Sequence, residues 1–150
     1  MRRVFLVAAL ACAPLAAPAQ QATPAQQPAV FDTGWRQVAP DALPDLELNG
    51  AGVRINNLLV VPEQGGAGGQ LAPHVFSASA LKRAAGRRSV RVELVGLGED
   101  GRPTLVAVVA PIFLDEAPNA TSNDRYRFLA PPAEVAGTKN YWVRVMVLPR

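Results

Sequence analysis

The chain has 150 residues, of which 49% are hydrophobic and 18% charged, with a formal net charge of +3. That length accommodates one domain around a single core. One histidine and one cysteine rule out an intrachain disulfide and the familiar zinc, copper and haem ligand sets within one chain.

Residues 1–19, MRRVFLVAALACAPLAAPA, read as a secretory signal peptide. Arg2 and Arg3 form a positive start, Val4 to Ala11 is unbroken apolar sequence, and Ala17-Pro18-Ala19 supplies the small residues of a cleavage site. The apolar run falls far short of the ~20 residues a bilayer span takes, so no transmembrane span is expected. Pro14 and Pro18 argue against a buried helix. The expected location is periplasmic or secreted, with cleavage after Ala19. Two variants compete. The pair in RRVFL resembles a twin-arginine core but lacks its flanking residues. The stretch ALAC resembles a lipoprotein box with Cys12 as the lipidated residue. Cleavage after Ala19 removes Arg2, Arg3 and Cys12, which leaves 13 basic residues against 12 acidic ones and no cysteine. The Ala-rich leader points to a bacterial host.

Residues 20–30, QQATPAQQPAV, carry no charge and no period and read as a disordered linker. Residues 31–49 form an extended arm, punctuated by Pro40 and Pro44, with Phe31 and Trp35 as anchors on the body. Residues 50–150 carry the β signal. In GVRINNLLVVP, Val53, Ile55, Asn57, Leu59 and Val61 fall on one face at period two. Gln64 to Gly69 belong to a flexible loop. HVFSASAL is a strand whose inward set is either Phe76, Ala78 and Ala80 or Val75, Ser77 and Ser79. KRAAGRR is a turn or corner. Val90, Val92 and Leu94 alternate with Arg91 and Glu93, Gly96 marks a bulge, and Asp100-Gly101 turns the chain into TLVAVVA. PIFL, the polar loop DEAPNATSND, the strand RYRFL and the corner APPAEVAGTKN follow. In the last strand Tyr141, Val143, Val145 and Val147 face one way and Trp142, Arg144, Met146 and Leu148 the other. The pattern predicts an all-β fold, a single antiparallel β-sandwich of about seven strands.

The closing GTKNYWVRVMV, with a Tyr before alternating Val residues, resembles the late strands of immunoglobulin-like and fibronectin-type-III modules. The resemblance implies a sandwich fold and no particular function.

Little in the chain suggests catalysis. A Ser-His-Asp triad needs His74 with Ser77, Ser79, Ser89 or Ser122, and no GxSxG elbow surrounds any of them. His74, at a strand start, reads as a partly exposed structural residue. Gly65 to Gly69 lack the Lys-Ser/Thr pair of a phosphate loop. Asp115, Glu116, Asn119, Asn123 and Asp124 are oxygen donors gathered as calcium requires, though without EF-hand spacing, and Asn and Asp are also ordinary turn residues. Asn119-Ala120-Thr121 matches a glycosylation sequon, discounted for a bacterial host. Glu93, Glu99, Asp100, Asp115, Glu116 and Glu134 are candidates for paired-carboxylate chemistry, and nothing singles out a pair. The strongest charge feature is KRAAGRRSVR, where Lys82, Arg83, Arg87, Arg88 and Arg91 crowd one corner. It reads either as a solvated turn or as a patch for an anionic polymer or envelope protein. Export and the lack of a stacking-aromatic array argue against nucleic acid. No cofactor is implied. The leading expectation is a non-enzymatic binding or interaction module of the bacterial envelope. The alternatives are a carboxylate-based hydrolase or lyase, or an assembly subunit whose end strand pairs with a neighbour. A binder should carry an apolar patch beside the basic corner.

Overall fold

The computed structural model describes residues 30–63 and 70–150. The leader, Cys12, the cleavage site, residues 20–29 of the linker and the glycine loop lie outside the described residues. Within them the chain forms two antiparallel sheets, packed as a sandwich around one apolar core.

The strands in chain order are β1 (Phe31–Asp32), β2 (Arg36–Val38), β3 (Leu48–Gly50), β4 (Val53–Pro62), β5 (Ala72–Lys82), β6 (Arg88–Leu97), β7 (Pro103–Leu114), β8 (Thr121–Ala130) and β9 (Asn140–Pro149). Among the described residues one short α-helix, α1 (Pro132–Ala136), turns the corner before β9. The first sheet has the order β1-β9-β6-β7, with β2 also on β9, and the second has the order β3-β4-β5-β8.

The arm is part of the sandwich and joins its two layers. β1 and β2 pair with β9, a 3-10 turn follows at Pro40–Ala42, and β3 then pairs with β4 in the opposite sheet. Leu43 is buried at this crossing. Phe31 is an anchor, as expected: its ring packs on Gly50 so closely that no Cβ would fit there. Trp35 is not buried; 43% of it is exposed.

β4 departs from its simple period-two reading. Val53 and Ile55 are buried, but Asn57 takes a left-handed φ of 52° and the register with β5 shifts between Asn56 and Leu59. The bulge rotates the strand, so Leu58 enters the core while Leu59 and Val61 face solvent. On β5 the inward set is Phe76, Ala78 and Ala80.

The β6–β7 hairpin closes as the turn residues require. Gly101 has φ 76°, the Gly98 N–H donates to the Arg102 carbonyl, and the Gly101 N–H donates to the Gly98 carbonyl. A register shift sits at Gly96/Leu97, at the expected glycine. A second falls where Ala110 and Pro111 both lie opposite Arg91. Pro111 has no N–H to give the ladder, so a bulge suits it.

β9 carries Tyr141, Val143, Val145 and Val147 in the core. It pairs with β6 along its length, and β1 and β2 cover its other edge. Backbone and side-chain bonds between Thr33 and Val145 fill the gap between those two strands. Its second apolar set, Trp142, Met146 and Leu148, lies on the sheet's outer face, half-buried at the first two and exposed at Leu148, while both edges of the strand are paired. The last strand is therefore not the free edge that end-strand pairing with a neighbour requires.

Candidate functional site

Both tryptophans of the chain lie on the outer face of the first sheet. Trp142 is on β9, directly opposite Val95 of β6 and Gln37 of β2. Directly paired residues project to the same side, so these side chains form one row across the sheet. Leu97 and Asn140 form the neighbouring pair. Trp35 leaves the sheet between β1 and β2 and completes the group. Trp35, Val95, Leu97 and Trp142 line an open, wholly apolar cleft of about 300 Å³.

Local bonds hold Trp35 in place. Gly34 adopts φ 63°, its N–H donates to Asp32 Oδ1 at 2.8 Å, and the Val145 N–H donates to Thr33 Oγ1 at 2.9 Å. The glycine is needed because an L side chain avoids that backbone conformation. The Arg144 guanidinium stands 6.0 Å from the Trp35 ring centroid, within reach of a cation–π contact.

Beside the cleft runs a row of alternating charges. Arg144 binds the Asp32 carboxylate through Nε at 3.0 Å and Nη2 at 2.5 Å. Arg144 also lies 3.8 Å from Glu93, and Glu93 lies 2.7 Å from Arg91. The pairing of Arg91 with Glu93 follows from their places on one strand face. The hydrogen bonds from Arg144, then from the Gly34 N–H, hold the Asp32 carboxyl down at about 2. The same bond raises Arg144 above the ordinary arginine value. Asp32 is thus a fixed carboxylate at neutral pH and a poor proton donor. The arrangement suits binding: flat indole rings, an apolar floor, and charges already neutralised in pairs.

The basic corner does not assemble as one patch. Lys82 is the largest departure, because it is fully buried on the inward face of β5. Its Nζ donates to the carbonyls of Gly86 at 2.6 Å, Glu116 at 3.1 Å and Asp115. Five inward positions in a row, from His74 to Lys82, put it on the core side, and three carbonyls make that burial tolerable for an ammonium. Arg83 and Arg87 are exposed and line different clefts, the first with Glu47 and Arg54, the second with Glu116 and Arg150. Arg88 is half-buried and donates to the Arg87 carbonyl, and Arg91 belongs to the charge row. The apolar cleft adjoins this charge row at Arg144, while Arg87 and Arg88 stand at the other end of β6 from Val95 and Leu97.

The oxygen donors also disperse. The Lys82 ammonium takes the main-chain oxygens of Asp115 and Glu116, whose side chains are exposed. Asn119 is in the loop at φ 61°, while Asn123 and Asp124, neighbours on β8, face opposite sides of the sheet. Asp124 accepts from the Ser122 hydroxyl. Among the described residues no three His, Cys, Asp or Glu side chains group as metal ligands do. His74 is buried rather than partly exposed; its Nδ1 lies 2.9 Å from the Ala72 carbonyl and its ring stacks on Phe128 at 5.6 Å. Glu93 is in the charge row, Asp100 pairs with Arg102, and Glu134 is on α1. The outer face of the second sheet also exposes Leu59, Val61 and Leu129, but Arg125 and the Glu63–Arg127 pair break up that surface.

The cleft was only half visible in the sequence. Alternation in β9 places Trp142 on the face opposite the core valines, which is a readable signal. That Trp35 joins it depends on an arm pairing across more than a hundred positions, with Arg36 opposite Val143.

No family model matches the chain, and no curated protein matches it. Among solved structures, similarity is found to the crystal structure of the Bacteriophage CBA120 tailspike protein 4 enzymatically active domain. That match has 12% identity and a TM-score of 0.26, and it covers 79% of this chain and 18% of that one. At that score the likeness bears on neither the function nor the ancestry of this chain. No helix of the described residues is long and apolar enough to cross a membrane.

Proposed function

We propose that the chain is an exported bacterial envelope protein that acts as a non-enzymatic binding module, with the two-tryptophan cleft as its contact surface. One observation carries this reading: both tryptophans converge on one exposed apolar cleft, on a face the core does not need. Large aromatic side chains left in water cost hydrophobic free energy, and they are enriched where binding energy concentrates. The leader-like residues 1–19 support export.

The finer fold reading is an immunoglobulin-like module. In support, β4-β5-β8 follows the A-B-E order of such sandwiches and β9-β6-β7 the F-C-C′ order. The place beside F, normally held by the final strand, is here taken by β1 and β2. Tyr141, at the start of β9, stands where these folds carry their corner tyrosine.

The test is cosedimentation of the mature protein with washed envelopes. Trp35→Ala with Trp142→Ala should lower the bound fraction about tenfold or more, the loss expected of a binding hot spot. Arg87→Glu with Arg88→Glu should bind within about twofold of wild type, since both stand at the other end of β6 from the cleft. Loss of binding with the arginine pair and not the tryptophan pair would move the contact surface to the basic corner.

A further inference from the structure

We propose that the two-tryptophan cleft binds a neutral saccharide, one or two rings of a glycan chain laid flat on the indoles; this rests on the binding-module reading above.

The groups around the cleft favour that chemistry. The C–H faces of a pyranose ring are apolar and flat, and they bury well against an indole. Its hydroxyls project around the rim and need donors and acceptors there. Trp142 has the Gln37 amide beside it in the same cross-strand row, and Asn140 sits in the next row beside Leu97. These are uncharged amides, each with donor and acceptor in one plane. On the far side stand the Asp32 and Glu93 carboxylates, bridged by Arg144. The Asp32 oxygens are already taken by Arg144 and the Gly34 N–H, whereas Glu93, held by Arg91 through one oxygen, keeps lone pairs for a hydroxyl donor.

The charge balance argues against an ionic ligand. Asp32, Arg144, Glu93 and Arg91 alternate in sign and pair with one another. A phosphate or an acidic polymer would have to break those pairs. The scale argues against a second copy of the chain, because a stable interface takes about 20–30 residues a side and only Trp35, Val95, Leu97 and Trp142 line this cleft of about 300 Å³. Ligand pockets for small molecules begin at about that volume. The site is also preorganised: the Thr33–Gly34 turn and Arg144 fix Trp35 before any ligand arrives.

The experiment uses a feature of the chain itself. Both tryptophans are in the cleft, so intrinsic fluorescence reports on this site alone. The mature protein is titrated with chitotetraose, maltotetraose and cellotetraose. At least one should give a saturable change in emission, with half-saturation below about 10 mM, as a shallow, solvent-open site implies. Raising salt should leave the curve in place, because a neutral ligand feels no screening. Gln37→Ala, a change confined to an exposed amide, should weaken binding several-fold with the circular dichroism unchanged. Trp35→Ala, read by Trp142, should weaken it about tenfold. Saturation by none of the three sugars, or saturation that ignores both substitutions, overturns the saccharide assignment. So does saturation by a Pro-rich decapeptide in their place, which would make the cleft a peptide groove. The two levels of the proposal separate cleanly. Trp-dependent sedimentation with envelopes without sugar binding sinks only the ligand class. Loss of both sinks the binding module as well.

Discussion

Lys82 is the residue whose surroundings most change its meaning. In sequence it heads a basic run; in the fold its ammonium replaces water for three main-chain carbonyls and ties the β5–β6 turn to the loop after β7. Lys82→Met keeps much of the volume and removes the donors. It should cost about 2–4 kcal/mol, because the carbonyls at Gly86, Asp115 and Glu116 lose a shared charged partner. Urea denaturation measures this, and an unchanged midpoint would mean that water replaces the ammonium freely. Asp32 makes a pH prediction. Its folded carboxyl value is lowered from 3.8 to about 2 by Arg144 and the Gly34 N–H. A depressed acid contributes stability that is present above the unfolded value and is lost as pH falls toward the folded one. Asp32→Asn should therefore be less stable than wild type near neutral pH, and the gap should close as pH drops from about 4 to about 2. A gap that stays constant across that window would detach Asp32 from the acid response.

Among the elements, β6 and the N-terminal arm have the narrowest tolerances. Gly96 is buried at the β6 bulge, and a Cβ there would lie 2.8 Å from Thr104 Oγ1, 3.0 Å from Leu105 Cγ and 3.1 Å from Thr138 Cγ2. Thr104 and Thr138 are themselves bonded at 2.6 Å, which joins β7 to the turn after α1. Gly96→Ala should cost roughly 1–3 kcal/mol by overpacking, measurable as a lowered thermal midpoint. Gly101→Ala differs, because nothing lies within 4 Å of its Cβ and only the φ of 76° is strained. Its cost should be about 1 kcal/mol. The arm is held by its pairing to β9, by the Asp32–Arg144 bonds and by Phe31 on Gly50. Truncation at residue 38 should uncover the β9 edge and remove Trp35 together with the cleft. The measurement is aggregation by light scattering, since an uncovered edge strand templates pairing.

For the molecule as a whole, stability rests on apolar packing between two sheets. The chain has one cysteine, so no intrachain disulfide contributes, and the thermal midpoint of the protein purified from its host should be the same with and without reductant. A reductant-sensitive midpoint would show that Cys12 is retained and pairs between chains. The sandwich separates two tasks. Its interior is closed around valines and leucines, and one outer face keeps two tryptophans in water beside balanced charges. The all-β class, the β6–β7 hairpin with its turn, and the inward set of β9 were legible in the amino-acid order alone. Each of these follows from short-range rules, period-two alternation and the positive φ that glycine permits. Features that depend on distant pairing or on one bulge emerge only in the assembled sandwich. Asn57 moved Leu58 inward and Leu59 outward, because one extra residue reverses every later side chain of a strand. Lys82 became a core residue because the loop after β7 brought carbonyls to it. Trp35 and Trp142 became neighbours because the arm paired with the last strand, a contact no local pattern encodes.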